Sequence, residues 1–359
     1  MFLIRADGNA EIGAGHLMRC LTIADELRRH MDGGEILFIC ADRQSAELAR
    51  NRGYEAFVLG SDPHDMEAEL PAWSRVPDIH KSANNILVDS YFVTEYYLRT
   101  IRKYGAVTLL DDMGAERFHV DRIINYNAFA DRGQYEKLYR GSGTELILGS
   151  AYVPVRPQFR ETSYRVREKA ENILITAGGG DIDNIAGRIL KALQETAAGI
   201  TAEKLNYHMI IGRFSPCYEE MKALEGLSAN VRIYHDVQDM AGLMSQCELA
   251  ITAGGSTVYE LAAMGVPFIC FSYAENQEMI TEYLDREEIA YSAGKYHKDP
   301  EAVLKRIAEQ AIALVRDYGK RCDCFFRERK LTDGMGAERL AGILAAASGE
   351  AMGLECRKR

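Results

Sequence analysis

The sequence predicts an α/β protein made of two doubly wound, Rossmann-like halves, and three observations predict it. Short apolar runs alternate with helix-patterned segments along the chain, as when crossover helices join parallel strands. The opening Leu3-Ile4-Arg5-Ala6-Asp7, a strand entering a glycine-containing loop and a helix, is restarted by Leu174-Ile175-Thr176-Ala177-Gly178-Gly179-Gly180-Asp181. Between them, Tyr152 to Ala170 is polar and carries Pro154, Pro157, Arg156, Arg160, Arg165 and Arg167, which reads as a linker. The expected boundaries are a first half at 1–155, the linker at 156–170, a second half at 171–320 and a closing turn and helix at 321–359.

Strands are expected near Met1–Arg5, Ile36–Cys40, Ala56–Leu59, Ile86–Val88 and Val107–Leu110 in the first half. Those of the second half fall near Ile173–Thr176, His208–Ile211, Val231–Ile233, Leu249–Thr252 and Phe268–Phe271. Each is a short apolar run bounded by polar or glycine-bearing residues. The first helix is marked by Leu17, Leu21, Ala24 and Leu27 at helical spacing, with Asp25, Arg28 and Arg29 on the other side. Asp333-Gly334-Met335-Gly336-Ala337-Glu338-Arg339 reads as a turn before an apolar helix from Leu340 to Ala347. Ligands of such sheets bind beyond the carboxyl ends of the strands, so a cleft between the halves is the expected place for one.

The loop after the first strand holds Ile12-Gly13-Ala14-Gly15-His16 just before that helix. A helix start gathers unpaired N–H groups and positive partial charge, which suits a phosphate. The same field disfavours a protonated histidine there, leaving a neutral ring able to accept a proton. Without a ligand, Gly13 and Gly15 serve a tight turn and His16 is a helix-start residue with no task. A dinucleotide fingerprint GxGxxG fails, because Met18 stands at the third glycine position and the loop before Gly13 is too long.

Bulk composition excludes several classes. The chain of 359 residues is long enough for two cores, and 47% hydrophobic with 27% charged residues is ordinary for a globular protein. A formal charge of −10 argues against nonspecific nucleic-acid or membrane-surface binding. No run approaches the roughly 18–20 apolar residues of a membrane span, and the chain opens on a strand without a basic-then-apolar leader. The eight cysteines are scattered, with Cys322-Asp323-Cys324 the only close pair, so reduced thiols of a cytoplasmic protein are expected and no metal or cofactor.

In the second half, the strand Leu249–Thr252 runs into Ala253-Gly254-Gly255-Ser256-Thr257-Val258-Tyr259-Glu260-Leu261-Ala262. Paired glycines and hydroxyls at a helix start form a second anion cradle. Glu260, one turn on, is placed to accept from both hydroxyls of a ribose. Asn276-Gln277 opens a further helix after the next strand. Taken singly, Gly-Gly-Ser-Thr is a competent N-cap, Glu260 a solvated carboxylate and Asn276 a cap; the fixed order of all five across one strand–helix–strand–helix unit favours a ligand site.

This segment resembles the nucleotide-binding signature of GT-B enzymes related to the MurG glycosyltransferases. The first half narrows the resemblance. Arg5-Ala6-Asp7, Ile12-Gly13-Ala14-Gly15-His16 and Arg19 resemble the opening of the UDP-2,4-diacetamido-2,4,6-trideoxy-β-L-altropyranose hydrolases of pseudaminic acid biosynthesis. So do Val88-Asp89-Ser90-Tyr91, Leu110-Asp111-Asp112, Ile124-Asn125-Tyr126-Asn127-Ala128 and the block from Leu148 to Phe159. Spore-coat polysaccharide proteins share this pattern. Between about 182 and 248 only the strand–helix rhythm matches.

The resemblance implies a GT-B fold and inverting hydrolysis of a UDP-sugar at its anomeric carbon, with His16 as the base. The implied substrate contacts are Asp7, Gly13, Gly15, Arg19, Tyr91, Gly178, Gly179, Gly254, Gly255, Ser256, Thr257, Glu260, Asn276 and Gln277. Diphosphate falls to Gly254–Thr257, ribose to Glu260, and acetamido groups to Asn276 and Gln277, whose amides both donate and accept. Asp7 either orients the His16 ring or binds a sugar hydroxyl. A GT-B glycosyltransferase and a non-catalytic nucleotide-sugar binder are the alternatives; the binder has no need of His16. No nucleic-acid or membrane partner is expected.

Overall fold

The computed structural model describes residues 1–9, 12–31, 35–77, 79, 84–114, 116–178, 181, 183–197, 205–212 and 215–356. The chain divides into two units, Met1–Pro154 with the segment from Met335 onward, and Val155–Gly334.

In the first unit, Phe2–Ala6 (β1), Ile36–Cys40 (β2), Glu55–Val58 (β3), Asn84–Asp89 (β4), Gly105–Leu110 (β5), Arg122–Asn125 (β6) and Glu145–Leu148 (β7) form a parallel sheet. Its order is β3-β2-β1-β4-β5-β6-β7, with Ile4 flanked by Phe38 and Leu87. Every residue of β1 is buried, which is why its sequence reads as an unbroken apolar run around Arg5. The strand order reverses between β1 and β4, the place where ligands bind in open α/β sheets.

Arg5 is an interior cation with a full set of anions. Its Nε and Nη2 donate to Glu69 Oε1 and Oε2, each at 2.7 Å, and its Nη1 pairs with Asp7. Glu69 also accepts from Tyr97 Oη at 2.6 Å and Ser61 Oγ at 3.0 Å. A buried ion pair of this kind is held by its satisfied geometry, and losing one partner leaves the other charged and unpaired.

Helix Gly15–His30 buries Leu17, Cys20, Leu21, Ile23, Ala24 and Leu27. Helix Gly336–Cys356 packs against it with Ala337, Leu340, Ala341 and Leu344 buried. At its start Gly336 lies close against the 152–153 backbone, where a Cβ would stand 2.1 Å from the Val153 carbonyl oxygen.

The second unit carries Asn172–Thr176 (β8), Asn206–Ile211 (β9), Val231–His235 (β10), Leu249–Ala253 (β11), Phe268–Ser272 (β12) and Tyr291–Lys295 (β13). All pairings are parallel, in the order β10-β9-β8-β11-β12-β13, and the order reverses between β8 and β11. Ile175, Met209, Ile251 and Phe271 of this sheet pack with Ile189, Leu193 and Ile307 of the covering helices.

The stretch expected as a linker, 156–170, is packed into this unit. Pro157–Glu161 is a short helix lying against helix Thr257–Met264, and its Phe159 is fully buried. The expected boundary at 320 falls inside helix Tyr318–Glu328. Glu328 ends that helix without solvent exposure; one carboxyl oxygen accepts from Phe268 N–H at 3.1 Å and the other has no partner. Burial pushes its carboxyl well above the usual range, against the Phe268 N–H and Arg327, which lower it.

Candidate active site

The first unit assembles its site at the carboxyl ends of β1, β4, β5 and β6. Gly13, with φ of 77°, turns the loop after β1 so that Ile12 N–H and Gly13 N–H return to Asn9. That conformation is strained for any residue with a Cβ. Helix Gly15–His30 then starts with no side-chain cap and no acidic residue in its first turn. Gly15 is exposed, and a Cβ there would meet nothing within 4 Å. His16 is the second residue of this helix and is buried.

Asp89, the last residue of β4, holds the ring: His16 Nδ1 lies 2.7 Å from Asp89 Oδ1. Burial acts to raise the Asp89 carboxyl, but Arg19 and His16 outweigh it and keep it well below the usual range, so it is an ionised acceptor. An acceptor at that distance requires a proton on Nδ1, so the neutral ring carries its lone pair on Nε2. Arg19 Nη2 also lies 3.0 Å from Nδ1, a close approach of two donors rather than a bond. Tyr91 packs edge-on to the imidazole, with ring centres 4.4 Å apart.

Arg19 is heavily engaged by the protein itself. Its Nε and Nη2 donate to Asp89 Oδ2 and Oδ1 at 2.5 Å each, and its Nη1 donates to Asp112 at 2.6 Å and Tyr126 Oη at 2.5 Å. Four of its five N–H groups are thereby engaged. Arg19, expected as a substrate contact, is thus bonded to Asp89, Asp112 and Tyr126 beside the histidine.

A pocket of about 170 Å³ opens on this group, lined by Asp7, Ile12, His16, His64, Asp89, Ser90, Tyr91 and Phe92. Asp7 lies in its wall but is tied to Arg5 and accepts from Ala41 N–H at 2.7 Å. The carboxylate that orients His16 is Asp89, and Asp7 is the buried partner of Arg5.

In the second unit, Gly178 and the Gly254–Thr257 loop follow β8 and β11, the two strands that flank the reversal of order. Gly178 has φ of 91°, and Gly179 lies outside the described residues. Gly254 is buried and required by packing, since a Cβ would meet Thr281 Cγ2 at 2.5 Å. At Gly255 a Cβ would meet nothing within 4 Å, so packing does not demand that glycine. Ser256, exposed at the cap of helix Thr257–Met264, makes no capping bond, so its hydroxyl is not spent on the cap role.

Glu260 is paired. Its Oε1 accepts from Arg156 Nη2 at 3.2 Å, and Arg156 also lies over the Phe159 ring. Burial pushes the Glu260 carboxyl up, with Arg156 pulling the other way. Gln277 Oε1 accepts from Tyr273 N–H at 3.1 Å and so shapes its own loop. Asn276 is exposed in the turn Glu275–Gln277, and neither adjoining cap uses a side-chain bond. Asp89 and Arg156, the partners of His16 and Glu260, were not among the expected site residues; the only signal for either was its place inside a resemblance block.

Two parallel Rossmann-like sheets, each with a glycine-bearing loop at its switch point, define the GT-B class of fold. Residues 172–311 match the glycosyltransferase family 28 C-terminal domain. The chain is 24% identical over 348 residues to the spore coat polysaccharide biosynthesis protein SpsG of Bacillus subtilis, covering 95% of this chain and 96% of that one. It is 24% identical over 293 residues to the UDP-2,4-diacetamido-2,4,6-trideoxy-beta-L-altropyranose hydrolase of Campylobacter jejuni, covering 80% of this chain and 98% of that enzyme. The crystal structure of Acinetobacter baumannii MurG superposes with a TM-score of 0.63 at 18% identity, covering 96% of this chain and 98% of MurG. The resemblance to the hydrolase and spore-coat group therefore extends over most of the chain, on a GT-B fold. Among the described residues no helix is long and apolar enough to cross a membrane.

Proposed function

We propose that the protein hydrolyses a UDP-2,4-diacetamido-2,4,6-trideoxy sugar, releasing UDP and the free sugar for pseudaminic acid synthesis. The observation that carries this reading is the His16–Asp89 pair opening on a pocket. With Nδ1–H held by a carboxylate, Nε2 takes a proton from water, and Asp89 stabilises the imidazolium that forms. The water oxygen bonds to the anomeric carbon as the bond from that carbon to the phosphate oxygen breaks. UDP leaves with the electron pair, and attack opposite the leaving group inverts the centre. The enzyme of Campylobacter jejuni bearing that name supports the substrate class.

In this reading the second unit holds the nucleotide. Gly255, Ser256 and Thr257 offer N–H and hydroxyl donors to the diphosphate, stabilising the leaving charge without a metal. Glu260 exchanges Arg156 for ribose hydroxyls, and Asn276 reads an acetamido group. Free thiols at Cys20, Cys40, Cys217, Cys247, Cys270, Cys322 and Cys324 fit a reducing, cytoplasmic setting.

The test is UDP release from UDP-2,4-diacetamido-2,4,6-trideoxy sugars with no acceptor present. Turnover is expected; release only after adding an acceptor sugar selects the glycosyltransferase reading, which the match to the family 28 domain favours. Tight binding without turnover overturns both.

A further inference from the structure

We propose that Arg19, backed by Asp112, is a positioning residue that sets how readily His16 gains and yields its proton. The proposal rests on the reading of His16 as the base. The four groups form one line, Asp112–Arg19–Asp89–His16, joined at 2.6, 2.5 and 2.7 Å. Asp89 spends its acceptor capacity on Arg19 Nε, Arg19 Nη2 and His16 Nδ1, with the Cys20 thiol 3.5 Å from Oδ2.

A lone buried carboxylate against an imidazole favours the imidazolium strongly, and a base that holds its proton at neutral pH is no base. Arg19 offsets part of the Asp89 charge that the ring senses, while its grip on both carboxylate oxygens holds Asp89 against His16. Asp112 in turn offsets part of the Arg19 charge, and it also accepts from Asn127 at 3.1 Å and Tyr91 Oη at 3.3 Å. The remaining ionisable groups near the ring are Asp7 from the end of β1, balanced by Arg5, and Cys20 on the same helix. Tyr91 follows β4, and His64, across the pocket, is paired with Asp62. The two charges behind Asp89, on Arg19 and Asp112, are therefore opposite in sign, and their removal has opposite effects.

The experiment is an NMR titration of the His16 imidazole in the full chain, wild type against Arg19→Met and Asp112→Asn, beside the pH profile of kcat/KM. Arg19→Met is expected to move the His16 titration and the acid limb to higher pH by about one unit or more; Asp112→Asn is expected to move both lower. Arg19→Lys, which keeps the charge and loses the fork, is expected to return the midpoint toward wild type while kcat stays below it. Shifts in the same direction, or melting temperatures that fall while the titration stays put, overturn the proposal and leave Arg19 a structural ion pair. If Arg19→Met does not fold, the Asp112→Asn and Arg19→Lys titrations decide alone. Absence of UDP release by the wild-type protein refutes the hydrolase reading, whereas the imidazole titration still judges Arg19.

Discussion

At the scale of single residues, the catalytic proposal turns on two side chains that are 73 positions apart. His16→Ala is expected to keep the fold and UDP binding while lowering turnover by at least about two orders of magnitude. Asp89→Asn is expected to cost about as much, because an amide no longer compensates the imidazolium and permits the wrong tautomer. Near-normal kcat in His16→Ala removes His16 from the mechanism, and in Asp89→Asn it removes the carboxylate's part. Glu260→Ala should weaken UDP affinity by roughly 1–3 kcal/mol, the usual range for deleting a buried charge-assisted acceptor; calorimetry showing unchanged affinity rejects the ribose role. The histidine was legible because glycine spacing and the helix pattern are local signals. Its partner was not: a lone aspartate at a strand end gains meaning only when β1 and β4 become neighbours. Arg19 had a readable clue, since a residue three places after His16 shares its helix face, but only the fold shows that two aspartates consume it.

At the scale of elements, all ten expected strands have counterparts in the structure, and three others escaped. β6, Arg122–Asn125, lies inside the first sheet but offers only two apolar residues; β7 edges that sheet, and β13, Tyr-Ser-Ala-Gly-Lys, edges the second and lacks an apolar run. Edge strands bury less, so their composition carries less pattern. The helix Tyr318–Glu328 is tied to the start of β12 by a carboxyl group with one unmet oxygen. Since burial raises that carboxyl in the folded state, the unfolded chain releases its proton first as pH rises. The contribution of Glu328 to stability is therefore full below the unfolded value near about 4.3 and declines above it, by up to about 1.4 kcal/mol per pH unit, until the folded carboxyl ionises. Glu328→Gln mimics the neutral form. Its melting temperature should exceed that of wild type at pH 8, with the difference closing toward pH 4; equal melting curves at both pH values would show that the raised carboxyl has no consequence.

At the scale of the whole molecule, the proposed chemistry relies on dipoles and neutral donors, so turnover should survive EDTA. Activity lost with the chelator and restored by magnesium or manganese contradicts that account of the leaving group. The helix Gly336–Cys356 belongs to the first unit although 180 residues of the second, Val155–Gly334, intervene. For a chain made from its N-terminus, the order of completion is then the reverse of the order of synthesis. Residues 1–154 leave the ribosome with the outer side of helix Gly15–His30 uncovered, and the second unit has every part it needs before the first receives its last helix. A fragment ending at residue 155 should accordingly aggregate or bind a hydrophobic dye, and a separately supplied 335–359 peptide should rescue it. The fragment 155–334 should melt cooperatively alone. An intact, cooperatively melting 1–155 fragment would mean that the last helix is an ornament; otherwise the newborn chain spends about half of its synthesis with its first unit waiting for a lid.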